Sequence, residues 1–559
     1  MLSLKPKELD KASARRVAFA VVLILLTFEI YVVGVNYSDY FAYLIDSEGP
    51  FFIGLTALFF FFSLYLFYRF VLFAISATWP YKIITLVIFS LSIAVEYGYQ
   101  KALGRFTTVG DIESAVEVNP EQQMASILMY LNHVTVIPVL LFAILLVFVC
   151  VRDRKGLRQF LVVNASLVLC FAIVPIFVSS QFPTVASAAF YRTSVDFLIN
   201  GPVTNGKWGT SMTGIAVTRR QVIKPQMPTN YRPTNNVVLV VDESVLGDHF
   251  SLNGYERETT PFLDSLASKR LLANWGIATS ASTGSRYTYA ALITGLTPDD
   301  FPDATAFKAN SFPTVFQYAK AMNYTTHLFD GQMVRPGGTE DDRNYIDDWA
   351  GVLDVTEGKG FEGYDLDNMI ARKARSIIYS STGNFIFILK RGSHIPYQSN
   401  FPPNGEVWKP SYTTENKYDI PSEDQLAAVR NSYDNSIKYN VDLFFKNLVD
   451  DFANVPNNTA IIYTGDHGQT LFKNGRSSHG GKTKEEATVP LLMIGKLPGP
   501  VDTKYKASHA NIFTTILDLF GYPEEIRDKR GAISLLKATA TDSKPRFFNP
   551  DLGAKVPFD

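Results

Sequence analysis

Acids and histidines follow short apolar runs in the second half of the chain. Asp242 and Glu243 follow VVLVV, His394 follows FIFILKRGS, and Asp466 and His467 follow AIIYTG. Any one of these residues alone is most simply read as a surface-loop residue. Several strand ends that all carry Asp, Glu or His instead indicate a shared metal site, because carboxylates and imidazoles are ligands of zinc and manganese.

A stretch rich in hydroxyl side chains, GIATSASTGSRYTYAALITG, occupies residues 276–295. Its second half has the pattern of a helix. A hydroxyl held against a divalent cation at a helix N-terminus could become an alkoxide that attacks phosphorus. Composition alone favours the simpler interpretation, in which these residues cap the following helix.

Alternating strand and helix patterns begin at about residue 234. Continuous apolar runs such as TAIIYTGDHG and TVPLLMIG suit strands that are buried on both faces. Helical patterns such as TPFLDSLASKRLL and FPTVFQYAKAM separate them. The alternation predicts an α/β domain with a mainly parallel sheet between helices. Ligands in such sheets bind beyond the carboxyl ends of the strands, where the acids and histidines are expected to lie.

The first third of the chain has the pattern of transmembrane helices. A helix needs about 20 mostly apolar residues to cross the hydrocarbon core, and runs of that length are too frequent here for a soluble protein. We therefore predict an α-helical transmembrane bundle of five spans over residues 1–181, an interfacial helix and linker over 182–233, and a catalytic domain over 234–559. The predicted spans are approximately 17–36, 51–74, 81–99, 134–151 and 159–179.

Basic residues set the predicted orientation of these spans. Lysines and arginines lie in the N-terminal tail and in the RDRKGLR loop at 152–158, whereas the loop after the first span has none. Positive charge stays on the cytoplasmic side. The N-terminus is therefore expected in the cytoplasm, and residues 234–559 outside it, which in a bacterium means the periplasm or the outer surface.

Charge and cysteine content exclude several classes of protein. The 52 basic and 53 acidic residues leave a formal net charge of −1, which argues against a nucleic-acid partner. The two cysteines, Cys150 and Cys170, both precede the α/β domain. That domain therefore contains neither a disulfide nor a cysteine-based zinc site.

Longer motifs carry a family resemblance. DESVLGDHFSLNGYERETTPFLDSL resembles the signature of the membrane phosphoethanolamine transferases, a branch of the alkaline phosphatase/sulfatase superfamily that modifies lipid A and related glycans. RGSHIPY, NSYDNSIKYNVDLFFKNL and YTGDHGQTLFKNGRSSHGG extend the likeness in the same order. The five-span plan with an external catalytic domain also fits, and the resemblance implies a fold of the alkaline phosphatase/sulfatase type.

Carried over by position, the resemblance implies a metal site and a nucleophile. The metal site falls on Glu243, Thr279, Asp466 and His467, with Thr279 as the attacking hydroxyl because it stands three residues after Gly276. His394 and His479 match histidines that line the substrate side or hold a second metal, and Arg335 lies where the family has a phosphate-binding lysine. The neighbouring hydroxyls that compete with Thr279 are Ser280, Ser282 and Thr283.

The implied reaction transfers phosphoethanolamine from phosphatidylethanolamine to lipid A, a lipopolysaccharide core or another glycan. It passes through a phosphothreonine-type intermediate and uses zinc, with one catalytic ion, room for a second, and manganese as the alternative metal. The family's disulfide around the nucleophile is missing, since Trp275 and Ser285 or Arg286 occupy its ends.

Three other functions were weighed against this one. A glycerophosphate transferase of the lipoteichoic-acid-synthase type has a similar plan, but GYERET and His479 argue against it. A sulfatase-family phosphodiesterase is the other enzymatic alternative, and a true sulfatase is disfavoured because residues 279–283 lack the proline of its modification motif. The acid–Thr–Asp–His set argues against a catalytically inactive binding module.

Overall fold

The computed structural model of the chain describes scattered residues between 16 and 166 and most of the chain from 223 onward. The described ranges of the latter part are 223–301, 312–332, 355–357, 363–413, 421–449, 458–473, 483–495, 500–527, 532–542, 545–549 and 554–558.

The chain divides into two compact units. One comprises Met1–Gly214 with Asp551–Gly553, and the other Ile215–Pro550 with Ala554–Asp559. Only scattered residues of the predicted spans and residues 223–233 of the predicted linker are described, so the span and domain limits stay predictions. Among the residues that the structure does describe, no helix is both long enough and apolar enough to cross a membrane.

A seven-stranded sheet forms the centre of the second unit, in the order β2-β7-β6-β1-β5-β3-β4. The α/β prediction is thus confirmed, and all five of the predicted strands are present. A separate hairpin pairs β8 with β9. The strands are β1 (Asn236–Asp242), β2 (Leu272–Thr279), β3 (Thr325–Asp330), β4 (Val355–Glu357), β5 (Asn384–Leu389), β6 (Thr459–Gly465), β7 (Thr488–Gly495), β8 (Arg546–Asn549) and β9 (Ala554–Pro557).

Strand direction shows one feature that the apolar pattern did not predict: the sheet is mixed. β7 runs antiparallel to both β6 and β2, while the pairs from β6 through β1, β5 and β3 to β4 are parallel. Two antiparallel steps make β2 parallel to β6. Both strands therefore end at the same edge of the sheet, and this edge carries the acids and histidines.

Helices cover both faces of the sheet, as the alternating pattern predicted. The helix over Leu366–Ser380 was not predicted, although Leu366, Ile370, Ala374 and Ile378 form a buried stripe at helical spacing. A π-helical turn, Lys438–Asp442, joins the fifth helix to the sixth. The helices are α1 (Pro261–Ser268), α2 (Ser285–Thr294), α3 (Val315–Ala321), α4 (Leu366–Ser380), α5 (Leu426–Ile437), α6 (Leu443–Val449), α7 (Ala510–Leu519) and α8 (Glu524–Arg527).

The central strand β1 contributes to two separate cores. Val237, Leu239 and Val241 pack into the core with α2, α3 and α7. Val238 and Val240 pack into the core with α1, α4, α5 and α6. Alternate side chains of a strand point to opposite faces, so an unbroken run of valine and leucine is needed where both faces are covered.

A buried ion pair ties β1 to the end of β5. Lys390 and Asp242 are both fully buried, and the lysine Nζ donates to Asp242 Oδ2. The same Nζ donates to the carbonyl of Asn440 at 2.6 Å and lies 4.4 Å from the ring centre of Phe444. Burial raises the pKa of Asp242 to about 6, against the opposing effect of Lys390. Removing the cation would leave a buried carboxylate uncompensated.

We expect Lys390→Met to lower the free energy of unfolding by about 3–5 kcal/mol, because it leaves Asp242 buried without its partner. Denaturant unfolding of the full chain, followed by tryptophan fluorescence, measures this. The control is Lys409→Met, whose lysine is 68% exposed and 3.9 Å from Glu406; it should change stability by less than about 1 kcal/mol. Adding Asp242→Asn to Lys390→Met should recover part of the loss. Equal losses for the two lysines would contradict the assignment.

Candidate active site

Three predicted ligands come together beyond the ends of β1 and β6. The two strands are parallel neighbours, with Asp242 opposite Gly465 in register, so the next residues, Glu243 and Asp466, also lie side by side. The amide of Asp466 donates to the carbonyl of Asp242 at 2.7 Å. One ligand atom each from Glu243, Asp466 and His467 lies within 4.8 Å of the others. We call these three residues the ligand cluster.

The ligand atoms are oriented by backbone groups. Asp466 Oδ1 accepts from the amides of Ser244 and His467 at 2.9 and 2.7 Å, while its buried Oδ2 accepts no hydrogen bond from the described residues. His467 Nδ1 lies 2.8 Å from the carbonyl of Gly468. A carbonyl only accepts, so this contact places the proton on Nδ1 and leaves Nε2 as the ligand atom of the neutral ring. Nε2 is 3.5 Å from Glu243 Oε1 and 3.5 Å from Asp466 Oδ2.

The charges of the ligand cluster show that it suits a cation. Burial, and next the neighbouring Glu243, raise the pKa of Asp466 to about 7. Burial lowers the pKa of His467, but attraction to Asp466 and Glu243 outweighs it and leaves that pKa raised. Two buried carboxylates beside each other therefore compete for protons. A divalent cation can take the place of those protons, and the oxygen and nitrogen donors fit zinc or manganese.

Glu243 is held in place by two residues that the sequence analysis did not identify. Gln332 Nε2 donates to Glu243 Oε2 at 3.1 Å and to the carbonyl of Lys390 at 3.0 Å, and it lies 2.6 Å from the hydroxyl oxygen of Tyr289. The Tyr289 hydroxyl donates to the same Oε2 at 3.3 Å. Ser244 Oγ donates to Oε1 at 2.9 Å. The position of Gln332 two residues after β3 was the available signal.

The hydroxyl segment, residues 279–285, runs from the end of β2 to the start of α2. Thr279 is its first residue, and its backbone pairs with Ala507 and His509 at 3.1 and 3.0 Å. Its Oγ1 is buried and has no hydrogen-bond partner among the described residues. No hydrogen bond or ion pair of the described structure joins this hydroxyl to the ligand cluster. The role predicted for Thr279 therefore stays a prediction.

From the hydroxyl segment, Ser285 contacts the ligand cluster. Its Oγ lies 3.2 Å from His467 Nε2. Ser285 is also the first residue of α2, where the helix dipole favours developing negative charge. The sequence analysis named Ser285 only as a position of the missing disulfide. Its place at the predicted helix start was the signal for a second candidate nucleophile.

Two of the competing hydroxyls serve the segment itself. Ser280 Oγ donates to the carbonyl of Ser282 at 2.6 Å, and Ser282 Oγ accepts from the amide of Gly284 at 3.4 Å. Ser280, Ser282 and Thr283 are fully buried. The local bonds of Ser280 and Ser282 stabilise the turn between β2 and α2.

The remaining predicted residues lie in the loops around the cluster. His394 is half-buried beyond β5, and its Nδ1 lies 2.7 Å from the carbonyl of Ile395. Burial lowers the pKa of His394 and a protonated His467 would lower it further, while Asp466 raises it. His394 is thus close enough to interact electrostatically with the ligand cluster. His479 and Arg335 lie outside the described residues, and their predicted roles stay predictions.

Comparison with known proteins finds relatives that are named as phosphoethanolamine transferases. It is 26% identical over 322 residues to Kdo(2)-lipid A phosphoethanolamine 7''-transferase of Escherichia coli strain K12, covering 53% of each chain. It is 26% identical over 395 residues to phosphatidylethanolamine transferase Mcr-2 of Escherichia coli, covering 66% of this chain and 70% of the relative. The chain thus spans about half the length of the first of these relatives.

The fold of the chain is also similar to that of a solved structure. The integral membrane protein lipooligosaccharide phosphoethanolamine transferase A (EptA) from Neisseria meningitidis superposes with a TM-score of 0.59 at 17% identity, covering 95% of this chain and 100% of the other. The Sulfatase family model matches residues 235–522. The resemblance to the phosphoethanolamine transferases within the alkaline phosphatase/sulfatase superfamily is thereby confirmed, and the match over more than half of its length shows that the chain belongs to the Sulfatase family.

Proposed function

We propose that this chain is a metal-dependent phosphoethanolamine transferase that works through a covalent intermediate. The observation that carries the proposal is the contact between the ligand cluster and a hydroxyl at a helix N-terminus. Ser285 Oγ is 3.2 Å from Nε2 of His467, which in turn lies 3.5 Å from Glu243 and Asp466. A hydroxyl, a divalent-cation site and a helix dipole are together suited to nucleophilic attack on a phosphodiester.

The metal of the proposal is zinc, with manganese as the alternative. Glu243, Asp466 and His467 would hold it through two carboxylate oxygens and Nε2, a donor set that zinc accepts. Such an ion lowers the pKa of a bound hydroxyl and stabilises charge on phosphoryl oxygens. His394 and His479 are the proposed ligands for substrate or a second ion, and Arg335 the proposed phosphate contact.

The attacking hydroxyl is assigned to Ser285, with Thr279 as the alternative predicted from sequence. Its oxygen would bond to phosphorus while the bond to the diacylglycerol oxygen breaks, and diacylglycerol would leave with the proton that the hydroxyl gives up. The phosphoethanolamine ester would then pass to an acceptor oxygen, which restores the hydroxyl. Ser285 is favoured because its Oγ contacts His467, whereas Thr279 Oγ1 has no hydrogen-bond partner among the described residues.

Two relatives support the proposed donor and acceptor. One is named for Kdo(2)-lipid A and the other for phosphatidylethanolamine. We therefore assign phosphatidylethanolamine as the donor and lipid A, a lipopolysaccharide core or another envelope glycan as the acceptor.

The proposed location is the bacterial inner membrane, with residues 1–181 spanning it five times and 234–559 in the periplasm after an interfacial linker at 182–233. Support comes from large apolar side chains that are exposed on described helical positions: Leu58 is 64%, Phe61 65% and Tyr65 50% exposed. Such side chains are suited to lipid contact. This arrangement would keep the hydroxyl near the donor head group.

The proposed metal site can be tested by removing the carboxylate of Glu243. Glu243→Gln should reduce bound zinc to well below stoichiometric and lower transfer activity by more than about 100-fold, since even residues that only orient metal ligands contribute about 10–100-fold. Metal analysis of the purified full chain and transfer of labelled phosphoethanolamine measure both. Glu256→Gln, which changes an exposed carboxylate paired with Arg430, is the matched control. Full activity of Glu243→Gln, or of chelator-treated protein, would remove the metal from the mechanism.

The proposed nucleophile can be tested by trapping the covalent intermediate. Incubation with phosphatidylethanolamine without acceptor should load one phosphoethanolamine group and release diacylglycerol. Ser285→Ala should lower loading by about 10⁴-fold or more, as removal of a nucleophile does in other hydroxyl enzymes. Thr279→Val replaces the hydroxyl by a methyl group of similar volume, and this variant should still load phosphoethanolamine.

Peptide mapping of the adduct decides among the hydroxyls of the segment. An adduct on Ser285 supports the geometric assignment, and one on Thr279 supports the assignment from sequence. An adduct on Ser280, Ser282 or Thr283 would leave the reaction class standing and contradict both assignments. Normal turnover by both variants without any adduct would refute a covalent mechanism, and a glycerophosphate adduct would instead indicate the glycerophosphate transferase alternative.

A further inference from the structure

The imidazole of His509 bridges two parts of the site. His509 precedes α7 and is 1% exposed. Its Nδ1 lies 3.1 Å from the amide nitrogen of Ala281, within the hydroxyl segment. Its Nε2 lies 2.9 Å from the hydroxyl oxygen of Thr464 in β6, two residues before Asp466.

We infer that His509 is a positioning residue that fixes the hydroxyl segment against the strand end that carries Asp466 and His467. The inference rests on the proposed function, because it assigns the reacting hydroxyl to that segment. The hydrogen-bond partners of its ring in the described part of the chain are Ala281 and Thr464, so it is proposed to act through these two residues.

The partners of His509 fix its tautomer. A backbone amide only donates, so Nδ1 must accept from Ala281 and carry no proton. The ring proton is then on Nε2 and is donated to Thr464 Oγ1, whose own hydroxyl donates to the carbonyl of Gly465 at 3.2 Å. A directed chain of hydrogen bonds therefore runs from the hydroxyl segment to the residue before Asp466.

Backbone contacts secure the rest of the segment around this side chain. The carbonyl of Ala281 accepts from the amide of Phe548 at 2.8 Å, and the amide of Ser280 donates to Ala487 at 2.9 Å. Ala281 is thus held on both sides, by His509 at its amide and by β8 at its carbonyl. With no cysteine in this domain, such contacts take the place that a disulfide could fill.

Loss of this link should slow the chemical step and leave donor binding little changed. A displacement of about 1 Å between reacting groups can cost about 100-fold in rate. Because His509 is 1% exposed, its side chain is not accessible to the donor head group, and KM should stay close to the wild-type value while kcat falls.

The test compares two amides that each keep one half of the imidazole. In His509→Asn the side-chain oxygen stands near Nδ1 and can accept from Ala281, but the Thr464 contact is lost. In His509→Gln the amide reaches the Nε2 position and can donate to Thr464, but the Ala281 acceptor is lost. His509→Ala removes both, and Thr464→Val removes the second contact without changing the histidine.

We expect kcat and single-turnover loading at saturating donor to fall by about 10–100-fold in His509→Ala and His509→Gln, with bound zinc and KM unchanged. His509→Asn and Thr464→Val should lose less than about 10-fold, because both keep the acceptor for the Ala281 amide, and the backbone bond from His509 to Thr279 still holds residue 509 against the segment. Hydrogen exchange of the full chain, read by mass spectrometry on peptides covering residues 278–284, should show the Ala281 amide exposed in His509→Gln and protected in His509→Asn.

Wild-type loading and amide protection in His509→Gln would overturn the inference. The inference would also be overturned if kcat fell and KM changed equally in the asparagine and glutamine variants, because a purely structural role predicts no difference between these two variants. If His509→Ala does not fold, the asparagine and glutamine pair still decides. If the wild-type chain forms no adduct, the proposed function fails, and hydrogen exchange still tests the link separately.

Discussion

The burial of two carboxylates beside each other is the constraint on which the site depends. Glu243 and Asp466 lie at the ends of adjacent parallel strands, and burial together with mutual repulsion raises the pKa of Asp466 to about 7. Such a pair is stable only with a compensating cation or bound protons. Two ligand atoms suit a cation: Oδ2 of Asp466 accepts no hydrogen bond from the described residues, and the contact of His467 Nδ1 with the Gly468 carbonyl leaves Nε2 as the ligand atom.

One helix organises the loops that leave this sheet edge. From α5, the hydroxyl of Tyr433 accepts from the amide of Leu246 at 2.8 Å and donates to the carbonyl of Ser244 at 3.0 Å, fixing the chain after Glu243. Asp434 of the same helix accepts from Arg257 at 2.7 Å and from the Tyr255 hydroxyl at 2.9 Å. Tyr255 and Arg257 of the GYERET motif therefore fix this loop to α5.

Noncovalent contacts hold a domain that has no cysteine. Lys390 and Asp242 form an ion pair beneath the site, and Gln332 with Tyr289 orients the carboxylate of Glu243. Apart from the half-buried Gln332, these groups are buried, so their hydrogen bonds are stronger than at the surface, and an unpaired member would be costly. The rigidity of the site thus comes from satisfied polar contacts behind the ligands.

The sequence by itself determined the α/β class, five of the strands, and the grouping of Glu243, Asp466 and His467, because apolar runs specify buried strands and parallel strands end at a common edge. It did not specify the reversed direction of β7, which leaves the same apolar pattern in either direction. It also could not show that Ser285 contacts His467, which is about 180 positions away in the chain. Nor could it show that His509 contacts Thr464 of β6, about 45 positions away, and so joins the hydroxyl segment to that strand. Distances across such separations are set by the packing of α2, α7 and the sheet, so only the tertiary structure decided which hydroxyl lies at the ligand cluster.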